Sequence, residues 1–168
     1  FDDVTLSGRI AELRAAVKLA REGLDAKSVS LLGSSFGGVT VLHAASDPGI
    51  ACSTVTATPV EFEFFDKLED GVAADPGYIV LSGFMVKRRL MEDVLKYNVP
   101  SQASKVSRLL VMHGTRDELI PRTDANIIFG KARDPKKLHF IGGADHAFTE
   151  HKHRLIMIDQ LIRWLGNF

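Results

Sequence analysis

The chain has 168 residues, 45% of them hydrophobic and 25% charged, which is the length and make-up of one globular domain and excludes disorder as its main state. Lys and Arg number 21 and Asp and Glu number 21, so no basic excess points to nucleic acid or an anionic membrane surface. No apolar run approaches the roughly 18 residues of a bilayer span, and a single cysteine, Cys52, excludes an internal disulfide.

Helix-period and strand-type segments alternate along the chain. That alternation predicts an α/β domain over residues 1–168, with a mostly parallel sheet of about four strands flanked by helices. Residues 8–22 place Ile10, Leu13, Val17 and Ala20 on one helical face, ended by Gly23. SVSLLG, 28–33, is a short apolar run that suits a buried strand. A small-residue helix follows over 36–46, stopped by Asp47-Pro48, and the β-branched run 50–58 predicts a second strand.

Residues 59–107 are less regular. They hold a Pro-Gly turn at 76–77, a helix expected around 83–97, and six of the aromatic residues: Phe62, Phe64, Phe65, Tyr78, Phe84 and Tyr97. A strand-to-strand crossover needs only a dozen or so residues. The stretch is therefore read as an inserted cap or lid, with a structureless loop as the alternative. A third strand is expected at 108–114, a helix at 122–132 and a fourth strand at 137–142. A last helix is expected over about 149–165, with Leu155, Ile158, Leu161, Ile162 and Leu165 on its apolar side.

The strongest chemical signal is Gly33-Ser34-Ser35-Phe36-Gly37-Gly38, a G-x-S-x-G pattern between a predicted strand and a predicted helix. A sharp strand-to-helix turn would force Ser35 into a strained conformation and lift its hydroxyl outward. Neighbouring backbone would crowd Gly33 and Gly37, two residues either side. The Phe36 N–H, at the helix start, could donate to an oxyanion. A chemically silent glycine turn is one alternative. A phosphate cradle is another, weakened because no Lys-Ser/Thr follows the glycines.

A serine nucleophile needs a base, and the base needs an orienting carboxylate. The third strand runs into His113-Gly114-Thr115-Arg116-Asp117, and the fourth into Gly142-Gly143-Ala144-Asp145-His146. Asp117 and His146 would then lie past strand ends on the edge that carries Ser35, in the order serine, acid, histidine. Glu118 is a rival acid. Asp145, beside His146, is expected to order its loop instead. His43 is expected to be packed or at the surface, His139 to lie in a strand, and His151 and His153 to face solvent. Cys52 reads as a small buried hydrophobe, and Lys87-Arg88-Arg89 as a solvated basic face.

These pieces resemble the α/β-hydrolase superfamily: GSSFGG at 33–38, HGTRD at 113–117 and GADH at 143–146. The short-lid carboxylesterases are the most similar branch, including cinnamoyl or feruloyl esterases and dienelactone-hydrolase-like enzymes; acylaminoacyl peptidases carry similar motifs. The resemblance implies Ser35 as nucleophile, Asp117 as acid, His146 as base and the Phe36 N–H as one oxyanion donor. It implies an ester substrate and no metal or organic cofactor; the charge balance and the lack of a long apolar run add the expectation of neither nucleic acid nor membrane as partner. Amide hydrolysis and a non-catalytic fragment remain as alternatives. The superfamily has further strands, and an early loop with a second oxyanion donor, ahead of the nucleophile. The chain opens at Phe1 without a signal-peptide pattern. The expectation is a cytoplasmic protein, N-terminally incomplete, able to pair the edge of strand 28–33 in a homodimer.

Overall fold

The computed structural model describes residues 4–62, 77–81 and 84–168. Helix α1 (Leu6–Lys18) starts at Thr5, whose hydroxyl oxygen accepts from the Gly8 N–H at 3.0 Å and so satisfies a donor the helix leaves open. It buries Leu6 and Ile10, with Leu13 and Val17 packed beside them. One π-helical turn, Leu19–Gly23, ends it.

Strand β1 (Val29–Ser34), helix α2 (Phe36–Ala44) and strand β2 (Ile50–Thr56) follow within two residues of their expected limits. So do β5 (Leu109–Gly114), α5 (Arg122–Lys131), β6 (Lys136–Ile141) and α6 (His151–Leu165). These four strands form one sheet in the order β1-β2-β5-β6, and every pair is parallel.

Side chains alternate across the sheet with period two. On β5, Leu109 and Val111 enter one core cluster with Leu31, Val55, Val39 of α2 and Ile128 of α5. Leu110 and Met112 face the other way, onto Cys52 and Trp164 of α6. Central β5 is therefore buried along its whole length. β1 is an edge strand, with no partner on its second side among the described residues; Leu32, pointing away from α2, is 54% exposed.

Two expectations need correction. The segment expected to be helical over 83–97 opens as a strand. β3 (Tyr78–Leu81) and β4 (Phe84–Lys87) form an antiparallel hairpin. Ile79 and Val86 are opposite each other and buried, while Met85 is exposed, so burial there follows the two-residue period. Only Arg89–Val94 (α3) and Val99–Ala103 (α4) are helical, and Val94, Val99 and Ala103 are buried in the main core. Phe64 and Phe65 of the proposed cap lie outside the described residues.

The second correction is the orientation of α6. Leu155, Ile158, Ile162 and Leu165, expected to face inward, are 39–63% exposed. The stripe turned to the sheet is His153, Met157 and Trp164. α6 carries two apolar stripes, and a helical period cannot say which one meets the sheet.

α3 is tied to α1 by a buried carboxylate. Asp93 accepts from the Ser7 N–H and from the Ser7 hydroxyl, each at 2.7 Å, and from Lys96 Nζ at 3.1 Å. Burial opposes ionisation, but these donors outweigh it and hold the Asp93 carboxyl below its ordinary range. A carboxylate with a depressed pKa stabilises the fold above the unfolded value of about 3.9, and that contribution is lost as pH falls through the folded value. Asp93→Asn should therefore lower stability by about 1–2 kcal/mol at pH 7. The gap between variant and parent should narrow in urea melts as pH falls below about 3.9; a gap that stays constant below that value would refute the electrostatic account. No helix of the described residues is long and apolar enough to cross a membrane.

Candidate active site

Because the sheet is parallel, the loops leaving β1, β2, β5 and β6 emerge along one edge. Ser35 sits in the first of these, between β1 and α2. Its backbone has φ 52° and ψ −125°, a left-handed setting rare for a residue with a side chain. The turn is anchored on both sides: Ser35 N–H donates to Thr56 O of β2 at 2.8 Å, and Gly38 N–H to Ser35 O at 2.9 Å.

Of the two glycines expected to be crowded, Gly33 is and Gly37 is not. A Cβ on Gly33 would overlap the Gly37 carbonyl and stand 2.7 Å from Val41 Cγ2, so the strand and helix touch there. A Cβ on Gly37 would meet no described atom within 4 Å, which corrects the expected crowding at that position. The second close approach is at Gly38, where a Cβ would overlap Thr58 Oγ1 in the loop after β2. The Gly37-Gly38 doublet was the visible signal; which glycine is needed depends on where β2 ends.

Asp117 lies in the turn after β5, and its side chain is fully buried. Its Oδ1 accepts from the Leu119 N–H at 3.0 Å and the Ile120 N–H at 2.9 Å. His146, in the loop after β6, points Nδ1 at the same carboxylate, 2.9 Å from Oδ2 and 3.1 Å from Oδ1. Burial alone would push the Asp117 pKa up. The His146 hydrogen bond, the backbone donors and the histidine charge prevail, and the carboxyl is held below its ordinary range.

The other ring nitrogen, His146 Nε2, is 3.0 Å from Ser35 Oγ. An ionised carboxylate only accepts, so Nδ1 carries the ring hydrogen and Nε2 accepts from the serine hydroxyl. Three residues 29 and 111 positions apart are thus joined in one hydrogen-bonded line.

Neither rival of these residues joins that line. Glu118 is exposed. Asp145 turns to Thr149, accepting from its N–H at 2.8 Å and from its hydroxyl, and these two donors hold its carboxyl below the usual range. Arg154 donates to the carbonyls of Phe148 and Thr149, so the loop is pinned to α6 from outside. His43 is buried with Nδ1 on the Val39 carbonyl at 2.8 Å, and Cys52 is buried as expected. His139 lies in β6. His151 is exposed, but His153, expected in solvent, is 2% exposed. It packs under Gly143, because α6 folds back beneath the loop that carries His146.

Several residues that hold the site are not among the candidates the sequence singles out. A Cβ on Gly114 would overlap the Ala144 carbonyl, which accepts from the Arg116 N–H at 2.9 Å, so this glycine lets the acid loop and the histidine loop lie together. Thr115 Oγ1 accepts from the Gly143 N–H at 2.8 Å and adds a second tie. Asp124 of α5 accepts from the Val60 N–H at 2.9 Å and secures the chain after β2. Burial raises its pKa, against that hydrogen bond. Among the described residues, no three His, Cys, Asp or Glu side chains are grouped as metal ligands.

No protein-family model matches the chain. The uncharacterized protein YfhR of Salmonella typhi is 26% identical over 155 residues, which cover 83% of this chain and 48% of that protein. The chain thus spans about half the length of the curated relatives it matches. The esterase domain of a Rhodothermus marinus protein superposes with a TM-score of 0.75 at 24% identity, over 92% of this chain and 67% of that one. Est1E from Butyrivibrio proteoclasticus superposes with a TM-score of 0.78 at 19% identity, over 98% of this chain and 72% of its own; it has also been solved with ferulic acid bound. The parallel sheet order, the strained serine turn after β1 and these superpositions identify the fold of this chain as that of the α/β-hydrolases.

Proposed function

We propose that the chain is the catalytic portion of a serine hydrolase acting on carboxylic esters. The observation that carries this reading is the line from Ser35 Oγ through His146 to the buried Asp117 carboxylate. Ser35 Oγ attacks the acyl carbon while its proton passes to His146 Nε2. Asp117 holds Nδ1–H and stabilises the imidazolium. The oxyanion that forms is met by the Phe36 N–H at the start of α2, where the helix dipole favours negative charge. The intermediate collapses, and the alcohol leaves with the proton from Nε2. Water then repeats the cycle on the acyl-enzyme and frees the carboxylic acid.

Esters rather than amides are favoured by the structural neighbours, an esterase domain and Est1E, the latter solved with ferulic acid. Aryl and hydroxycinnamoyl esters are accordingly the first substrates to assay, with an anilide of the same acid beside them. The strained backbone of Ser35 supports a functional reading too, since such strain persists where the surroundings over-determine it for a task.

A fluorophosphonate should label the chain once, at Ser35, and Ser35→Ala should abolish the label; a folded chain that stays unlabelled overturns the proposal. Ser35→Ala and His146→Ala should each lower ester turnover by about 10⁴-fold or more, and Asp117→Asn by about 10⁴-fold through the wrong histidine tautomer. Strain at Ser35 has its own test. Both Ser35→Gly and Ser35→Ala lose the hydroxyl, but only glycine tolerates the positive φ. The glycine variant should be more stable than the alanine variant by about 1 kcal/mol in urea denaturation. Equal stabilities would mean the turn is unstrained.

A further inference from the structure

We infer that His113 is a positioning residue for Asp117, acting on the opposite side of the carboxylate from the backbone donors; the inference rests on the proposed triad. His113 occupies the penultimate position of β5 and is completely buried. Its Nε2 is 3.0 Å from the Ile120 carbonyl and 3.3 Å from Asp117 Oδ2. Both neighbours are acceptors, so Nε2 carries the hydrogen; its hydrogen bond goes to the Ile120 carbonyl, and Asp117 Oδ2 lies beside it at polar contact distance. Nδ1, also buried, has no hydrogen-bond partner among the described residues, and the hydrogen bond of Nε2 is directed to this turn.

The division of labour on Asp117 gives this interaction its meaning. Oδ1 is held by the N–H groups of Leu119 and Ile120. Oδ2, the oxygen nearer His146 Nδ1, has no backbone donor among the described residues; besides His146 it faces His113. Two backbone donors on one oxygen leave the carboxylate free to pivot about its Cβ–Cγ bond. The polar His113 N–H lying against the other oxygen opposes that pivot. The plane of the carboxylate then sets the plane of the His146 ring, and the ring sets the aim of Nε2 at Ser35. The Ile120 carbonyl on the same Nε2–H ties this arrangement to the turn that supplies the Oδ1 donors, so both oxygens are referenced to one rigid loop.

A residue that merely fills the core would be replaced adequately by an apolar side chain. His113→Leu should instead lower kcat about 10-fold or more with KM within about 3-fold, as expected when a reacting group is misaimed while substrate binding is intact. His113→Gln, whose amide nitrogen can reach the place of Nε2, should recover most of that loss. In an Asp117→Asn background, His113→Leu should cost nothing further, because a residue acting through Asp117 has nothing left to act on.

A readout independent of turnover separates failure of this inference from failure of the hydrolase reading. In proton NMR of ¹⁵N-histidine-labelled chain, the low-field His146 Nδ1–H signal should be present in the parent and in His113→Gln. It should shift upfield or broaden away in His113→Leu while the fold is intact by circular dichroism. Should His113→Leu not fold, His113→Asn replaces it, since its amide is too short to reach Oδ2. An unchanged His146 signal in the Leu or Asn variant would overturn the inference, as would an additive loss in the Asp117→Asn background. Absent turnover with the NMR pattern as stated would overturn the hydrolase reading alone.

Discussion

Parallel pairing of β1, β2, β5 and β6 obliges each crossover to return to the edge where the previous strand began, so every loop leaving a C-terminal strand end gathers on the opposite edge. Residues far apart in the chain meet there for no other reason. The register fixes their depth: Gly33 is level with Val55, and Val55 with Val111, which brings Ser35 beside the turn that holds Asp117 and the loop that holds His146. Burial of β5 on both faces keeps that register from slipping, because a one-residue shift would exchange Leu109 and Val111 with Leu110 and Met112 across the sheet.

On this frame the site is held mainly by close backbone approach. Gly33 against the Gly37 carbonyl, Gly38 against Thr58, and Gly114 against the Ala144 carbonyl are three places where a methyl group does not fit. Each joins two segments of the edge that carries Ser35. The polar ties work at the same junctions: Ser35 N–H to Thr56 O, Gly143 N–H to Thr115 Oγ1, Arg116 N–H to Ala144 O. The positive φ of Ser35 survives because these neighbours leave the turn no relaxed alternative.

Buried charge is met by the same fixed backbone. Each of the buried acids Asp93 and Asp124, and the buried side chain of Asp117, receives at least one backbone N–H, so a charge removed from water meets a donor whose position the fold has already set. For Asp93 and Asp117, each with three donors among the described residues, the donors win over burial; for Asp124, with the Val60 N–H and a Thr123 hydroxyl at 3.5 Å, burial wins. The contrast follows from donor count more than from depth. It also distinguishes a carboxylate kept anionic against His146 from one that secures the segment after β2.

Much of the fold and of the site was legible in the order of residues. Alternating periods of two and 3.6 located seven of the main elements, because those patterns are local and each is set by which faces must leave water. Ser35, Asp117 and His146 could be picked out because the strand ends that carry them are marked by Gly-rich, turn-forming residues. Tertiary structure decided what depends on a partner from elsewhere in the chain. β3 and β4 exist because each pairs with the other, which no single-segment period encodes. α6 turned His153, Met157 and Trp164 inward in place of its more obvious leucine and isoleucine stripe, since the sheet face it meets is shaped by β5 and β6. The need for Gly38 and Gly114, and the approach of His113 to Asp117, likewise arise where folded segments touch. Sequence specifies such approaches only through the packing of the whole, because the atoms that exclude a side chain or share a proton take their places only once the sheet is built.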